Sequence, residues 1–164
     1  MKKLFFSFIL ITLTSCFCYS QNGEESITYI AFHFEHSMRI PHHEVSVEIT
    51  KGLRNLHVYV KSTPMNDDPE WAKSKIDTAF SIDSTGFASL LGQVSEVKNI
   101  DLKKAVTRGF DGTRWSIEYG TYTLKTKYTF WTPDYKTEER ELAKFVNLCY
   151  RIIEIGQLDQ NIIL

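Results

Sequence analysis

The sequence predicts an α+β fold, an antiparallel sheet of about six strands with two helices packed on one face. Three observations predict it. Apolar and polar residues alternate in several short runs, turn signals separate those runs, and two later segments carry apolar stripes at helical spacing. Strands come first and helices later, with one hairpin between the helices. That order suits helices segregated to one side of an antiparallel sheet.

Ile27 to His36 reads as the first strand. His43 to Lys51 alternates strictly, with Val45, Val47 and Ile49 against Glu44, Ser46, Glu48 and Thr50. Leu56, Val58 and Val60 alternate against His57, Tyr59 and Lys61, so Lys51–Arg54 is expected as a four-residue hairpin loop. That loop pairs Thr50 with Asn55, Glu48 with His57, and Glu44 with Lys61. Across Ser37–His42, His33 is expected to face Ser46 and Glu35 to face Glu44. Residues 63–74 carry Pro64, Asn66, Asp67, Asp68 and Pro69 and read as an acidic loop. Ile76, Thr78, Phe80 and Ile82 form the fourth run.

Phe87, Leu90, Leu91, Val94 and Val97 make the first helical stripe, with Ser84 or Thr85 as its cap. Asp101 to Val106 adds one turn. Leu142, Phe145, Val146, Cys149, Ile152 and Ile153 form the second stripe, with Thr137 as cap and Gly156 at its exit. Cys149 lies in that stripe and reads as a buried structural thiol. Between the helices, Glu118-Tyr119-Gly120-Thr121-Tyr122-Thr123 fits a type II′ turn with Gly120 at its first central position. Tyr119 then faces Tyr122, Ile117 faces Leu124, and Arg114 meets Lys127. Tyr128 and Phe130 continue the apolar face, and Trp131 falls on the polar one.

The first twenty residues, MKKLFFSFILITLTSCFCYS, place Lys2 and Lys3 before an apolar run from Leu4 to Leu13. That is the layout of a bacterial-type export signal, too short to span a membrane as a stable helix. Two processing sites are read. Residues 1–20 form a signal peptide cut before Gln21, or the lipobox-like Leu13-Thr14-Ser15-Cys16 is cut after Ser15 and Cys16 is acylated. Residues 21–164 then form one α+β domain that is periplasmic or secreted, or held at a membrane only by that lipid. Removing Lys2 and Lys3 from the 19 basic residues leaves 17 against 20 acidic ones, a net charge of −3. A near-neutral mixed surface argues against nucleic acid as a partner and against electrostatic docking on a membrane. With cleavage before Gln21 the sole remaining cysteine is Cys149, so the core rather than a disulfide holds the domain together.

Four of the five histidines, His33, His36, His42 and His43, lie close in sequence beside Glu35 and Glu44. Imidazole and carboxylate are zinc ligands, and His33, His42 and His43 are the candidate metal set for an extracytoplasmic metal-dependent enzyme. The expected register opposes this. It sets His33 and His57 two strands apart, roughly 9–10 Å across the sheet, and pairs the charges without an ion. The leading expectation is therefore a non-catalytic binding or interaction module with no cofactor, whose partner is a protein or saccharide of the cell envelope. Its candidate binding residues are the aromatic rings expected on the polar face or in loops: Tyr59, Trp71, Trp131 and Tyr135. Amphipathic rings beside charges serve such recognition. Trp71, in the acidic loop, is the favoured anchor.

Overall fold

The computed structural model describes residues 27–164, so the expected signal and both processing sites lie outside the described residues. Strands β1 (Tyr29–His36), β2 (Glu44–Lys51), β3 (Asn55–Thr63), β4 (Ile76–Asp83), β5 (Thr113–Gly120) and β6 (Lys125–Trp131) form one antiparallel sheet. Its order is β4-β3-β2-β1-β5-β6. Helices α1 (Phe87–Val97), α2 (Leu102–Ala105), α3 (Ala143–Ile155) and α4 (Gln160–Ile163) complete the α+β fold.

One sheet face is apolar and carries the helices. Ile30, Phe32 and Phe34 of β1 share the core with Val45, Val47 and Ile49 of β2, and with Leu56, Val58 and Val60 of β3. Trp115, Ile117 and Tyr119 extend it onto β5, and Phe130 onto β6. From α1 come Phe87, Leu90, Val94 and Val97, and from α3 Phe145, Val146, Leu148, Cys149, Ile152 and Ile153. Phe145 meets Phe130 edge to face at 4.8 Å between centroids, a preferred aromatic geometry. Each such fully buried large side chain contributes roughly 1.5–3 kcal/mol. Cys149 is fully buried in α3, and burial pushes its thiol well above the ordinary range, away from reactivity.

The expected β1–β2 register is the observed one, with His33 opposite Ser46 and Glu35 opposite Glu44. Both other hairpins are displaced. In β2–β3 the tip shrinks to Leu53-Arg54, because Gly52 donates to the Asn55 carbonyl at 2.9 Å and Lys51 pairs with Leu56. Thr50 therefore faces His57, Glu48 faces Tyr59, and Ser46 faces Lys61, so the expected Glu48–His57 and Glu44–Lys61 pairs do not form. In β5–β6 the strands run on through Gly120, which pairs with Lys125, and the turn is Thr121–Leu124. Tyr119 faces Thr126 instead of Tyr122, and Arg114 faces Trp131 instead of Lys127. The expected Arg114–Lys127 opposition of like charges gives way to Glu118 opposite Lys127, which is electrostatically better. Partners moved by an even number of positions in both hairpins, so every side chain kept its expected face.

The helix ends also depart from expectation. Asp83, not Ser84 or Thr85, supplies the capping oxygen, accepting from the Thr85 amide at the head of a 3₁₀ turn that precedes α1. Thr137 does not cap α3, which starts only at Ala143. The Thr137 hydroxyl instead donates to the Pro133 carbonyl within a run of turns. Gly156 does close α3, at φ −69°, and the left-handed residue is Gln157 at φ 56°. Gly156 is there for space, since a Cβ would lie 2.9 Å from Cγ2 of Val47.

Candidate functional site

Among the described residues the other sheet face carries no helix, and it is polar. Its register aligns side chains in rows across the strands. One row runs Asp77, Lys61, Ser46, His33, Ser116, Thr129. The row nearer the His36 end of β1 runs Thr63, Glu44, Glu35, Arg114, Trp131. These two rows, apart from Asp77 and Trp131 at their ends, line a concavity of about 380 Å³. A second hollow of about 260 Å³ adjoins it, lined by Ser37, Gly109, Phe110, Gly112 and Trp131. Glu35 and Arg114 line both, and their ion pair at 2.7 Å forms the divide.

The sequence places these groups by parity alone: every second residue of each strand faces this side. Ser116 is buried at 3 % exposure, and its hydroxyl meets that of Thr129 at 2.9 Å. His33 sits half-buried between Ser46 and Ser116. Its pKa is lowered, first by desolvation and then by the nearby Lys127 ammonium, so the ring is neutral at pH 7 and can both donate and accept. Lys61 and Lys127 make no ion pair among the described residues, whereas Arg114 is held by Glu35. The floor therefore offers hydroxyls and an imidazole, and its flanks offer ammonium groups free to meet an anion.

Acid should destabilise this arrangement. An unfolded histidine takes up its proton near pH 6.5, and His33, His36 and His42 all have lowered values in the fold. Below that pH the unfolded chain binds more protons, so stability is full above it and falls as pH drops toward the folded values. Urea midpoints should decline from about pH 7.5 to about pH 5, and His33→Gln should flatten part of that slope. An unchanged slope in His33→Gln would remove His33 from this account.

The four candidate aromatic residues do not share one site. Tyr59 stands on the polar face, 53 % exposed, between Glu48 and Ala79. Trp131 lies on that face too, half-buried against the 109–112 loop. A Cβ at Gly109 would sit 2.6 Å from the Trp131 Nε1, and one at Gly112 would sit 3.0 Å from its Cζ2. That packing explains the glycines of Gly109-Phe110-Asp111-Gly112, and it makes Trp131 the ring that borders the second hollow. Tyr135 is exposed in the turns after β6, with the Lys136 ammonium 5.9 Å from its ring centroid. Trp71 lies half-buried within the 3₁₀ segment Pro69–Ser74, where its carbonyl accepts from the Ser74 hydroxyl. The surrounding acidic loop is partly neutralised, Asp67 pairing with Lys75 and Asp68 accepting from the Glu70 amide.

The candidate metal set is not brought together either. His33 faces the polar cavity, whereas His42, at φ 51°, bonds through Nδ1 to the Ser62 hydroxyl at 2.8 Å. Ser62 shares the parity of Leu56, Val58 and Val60, so His42 belongs to the helix-bearing side of the sheet. His43 takes the His36 amide on its carbonyl. Among the described residues no three His, Cys, Asp or Glu side chains gather in a group able to hold a metal ion. No family model matches the chain, and no curated protein matches it.

Sequence reasoning missed one residue that shapes the site. Arg140 is buried at 6 % exposure and donates to the carbonyls of Ala105, Trp131, Thr132 and Tyr135. It ties the end of β6, and so Trp131, to the segment after α1. A lone arginine beside two glutamates in a turn-rich stretch gives no sign of this in sequence, where it reads as a solvated helix start.

Proposed function

We propose that the protein is an exported, non-catalytic binding module that receives a carboxylate-bearing saccharide on its polar sheet face. The observation that carries this reading is the Ser46–His33–Ser116–Thr129 row flanked by Lys61 and Lys127, neither of them ion-paired among the described residues. Hydroxyls and a neutral imidazole exchange hydrogen bonds with sugar hydroxyls in either direction. An ammonium group supplies a charge-assisted bond to a carboxylate, and Trp131 offers an aromatic edge beside the divide. The N-terminal Lys2–Leu13 pattern supports export to the cell envelope, where acidic polysaccharides would be met. Processing occurs before Gln21 or at Cys16, and the mass of the protein recovered from the envelope distinguishes the two.

Trigalacturonate serves as the probe, with the corresponding neutral galactose oligomer as control, followed by amide chemical shifts. The acidic oligomer should perturb residues of β1, β2 and β5 around His33. Lys61→Gln with Lys127→Gln should weaken its binding by about 10- to 100-fold, the worth of one or two bonds to a charged group. Equal binding of the neutral oligomer, or a double variant that binds as the parent does, would remove the carboxylate from the proposal.

A further inference from the structure

We propose that the second hollow is a subsite for an uncharged sugar unit, linked in the ligand to the acidic unit held over His33. This assignment rests on the saccharide function proposed above and adds the neighbouring unit and its chemistry. The hollow of about 260 Å³ adjoins the larger concavity across the Glu35–Arg114 pair, so a chain laid along the polar face passes over that pair into it. Its walls combine two aromatic rings with a few polar groups that keep free bonding positions, the mixture that receives a neutral sugar ring.

The polar groups are only half engaged. Arg114 donates through one terminal nitrogen to Oε2 of Glu35 at 2.7 Å. Its Nε, its other terminal nitrogen and Oε1 of Glu35 make no hydrogen bond among the described residues. A sugar hydroxyl both donates and accepts, so neighbouring hydroxyls at the divide can give to Glu35 and take from Arg114 together. Charge selects against a second acidic unit. Among the described residues, Glu35 and Arg114 are the charged groups lining the second hollow, and they compensate each other. Lys61, Lys127 and Glu44 line the larger concavity alone. Arg108 and Asp111, beside the loop glycines, are opposite in sign and line neither hollow. A carboxylate placed here would meet Glu35 with no unpaired cation in the wall to receive it.

The aromatic wall is fixed before any ligand arrives. Trp131 is packed by Gly109 and Gly112, and the Arg140 guanidinium holds its carbonyl at 2.9 Å. The Ser37 hydroxyl donates to the Gly112 carbonyl at 3.0 Å and accepts from its amide at 3.1 Å, which ties the 109–112 loop to the β1–β2 connection. Between the two glycines stands Phe110, 100 % exposed and lining the same hollow as Trp131. That phenyl ring buries no surface within the fold. A pyranose ring packs its C–H face on aromatic rings and keeps its hydroxyls at the edge, so Phe110 and Trp131 take the face while Glu35 and Arg114 take the edge. Walls already held in place lower the ordering cost of binding.

The probes are galacturonate, digalacturonate and the two monomethyl esters of digalacturonate, which keep the linkage and remove one charge. Titrations are followed by amide and indole N–H shifts, the Trp131 indole being assigned from its loss in Trp131→Phe. Galacturonate should perturb residues around His33 and leave the Trp131 indole in place. One monoester should move that indole and bind at least fivefold tighter than galacturonate, and tighter than digalacturonate. Phe110→Ala should bring that ester down to the galacturonate level and leave galacturonate binding unchanged. Phe110 is exposed, so an unchanged melting temperature shows that the variant is folded. Digalacturonate binding as tightly as the better ester overturns the proposal, as does an ester that Phe110→Ala binds as the parent does. Galacturonate binding with no gain from any second unit would sink this subsite alone. Failure of every probe, trigalacturonate included, would remove the saccharide reading and the subsite with it.

Discussion

Arg140→Leu should lower the unfolding free energy by about 3–4 kcal/mol, the largest effect expected of any single polar substitution in this chain. The guanidinium makes five hydrogen bonds to four backbone carbonyls: Nε and one terminal nitrogen to Ala105, and the terminal nitrogens to Trp131, Thr132 and Tyr135. All its acceptors are neutral, and burial lowers its pKa, with Asp134 opposing. Leucine would fill part of the volume and leave those carbonyls without the guanidinium, in a place water reaches poorly, although Thr132 keeps the Tyr135 amide. The segment it ties down is also under backbone strain. Thr132, Lys136 and Glu141 adopt φ of 40°, 52° and 56°, costly positions for residues with a Cβ and most of all for β-branched threonine. Urea melts should show the loss, and a thermal scan should show a fall of roughly 10 °C. Arg140→Lys should recover only part of it, because one ammonium cannot reproduce a planar fork reaching four acceptors. A cost below about 1 kcal/mol in Arg140→Leu would mean that water satisfies these carbonyls equally well.

The second large effect is Gly120→Val, expected to cost about 3 kcal/mol or more. Gly120 ends β5 at φ 154°, and a Cβ there would lie 2.0 Å from the Leu124 carbonyl oxygen and 2.9 Å from the Lys125 Cα. Both obstacles are backbone, so no rotamer change relieves the clash, and the turn itself must move. The Thr121–Leu124 bond at 2.8 Å and the Thr121 hydroxyl contact to the Leu124 amide would go with it. Even Gly120→Ala should fall on the same side, in contrast to Gly92→Ala in α1, where a Cβ meets nothing within 4 Å and stability should rise slightly. If Gly120→Ala and Gly92→Ala shift the urea midpoint alike, the close approach at Gly120 is not what holds the turn.

Of the candidate site, the sequence made legible which residues share the polar face and little about which of them meet. Strict alternation put Glu44, Ser46, Glu48, His57, Tyr59 and Lys61 on one side, and there they are. The β1–β2 pairing of His33 with Ser46 was legible as well. Lys61 beside Ser46, by contrast, followed from a turn that closed two residues tighter than expected, and Ser116 beside Thr129 from one that closed later. Turn choice depends on local contacts, such as Gly120 against Leu124, that no alternation pattern records. The long-range members were invisible for a different reason. Arg114 with Glu35, and Gly109 with Trp131, are distant in sequence and meet only because β5 returns to pair with β1 and β6 then lies outside it.

The sequence by itself determined the fold class, the faces of the strands and the two helical stripes, because burial acts on residue parity and helical period wherever partners happen to sit. Only the tertiary structure decided the β2–β3 and β5–β6 registers, the late start of α3 and the separation of His33 from His42 by the sheet. It alone revealed the buried fork of Arg140. Each of these was set by backbone hydrogen bonds and close contacts between segments far apart in the chain, whose geometry exists only once the sheet has formed.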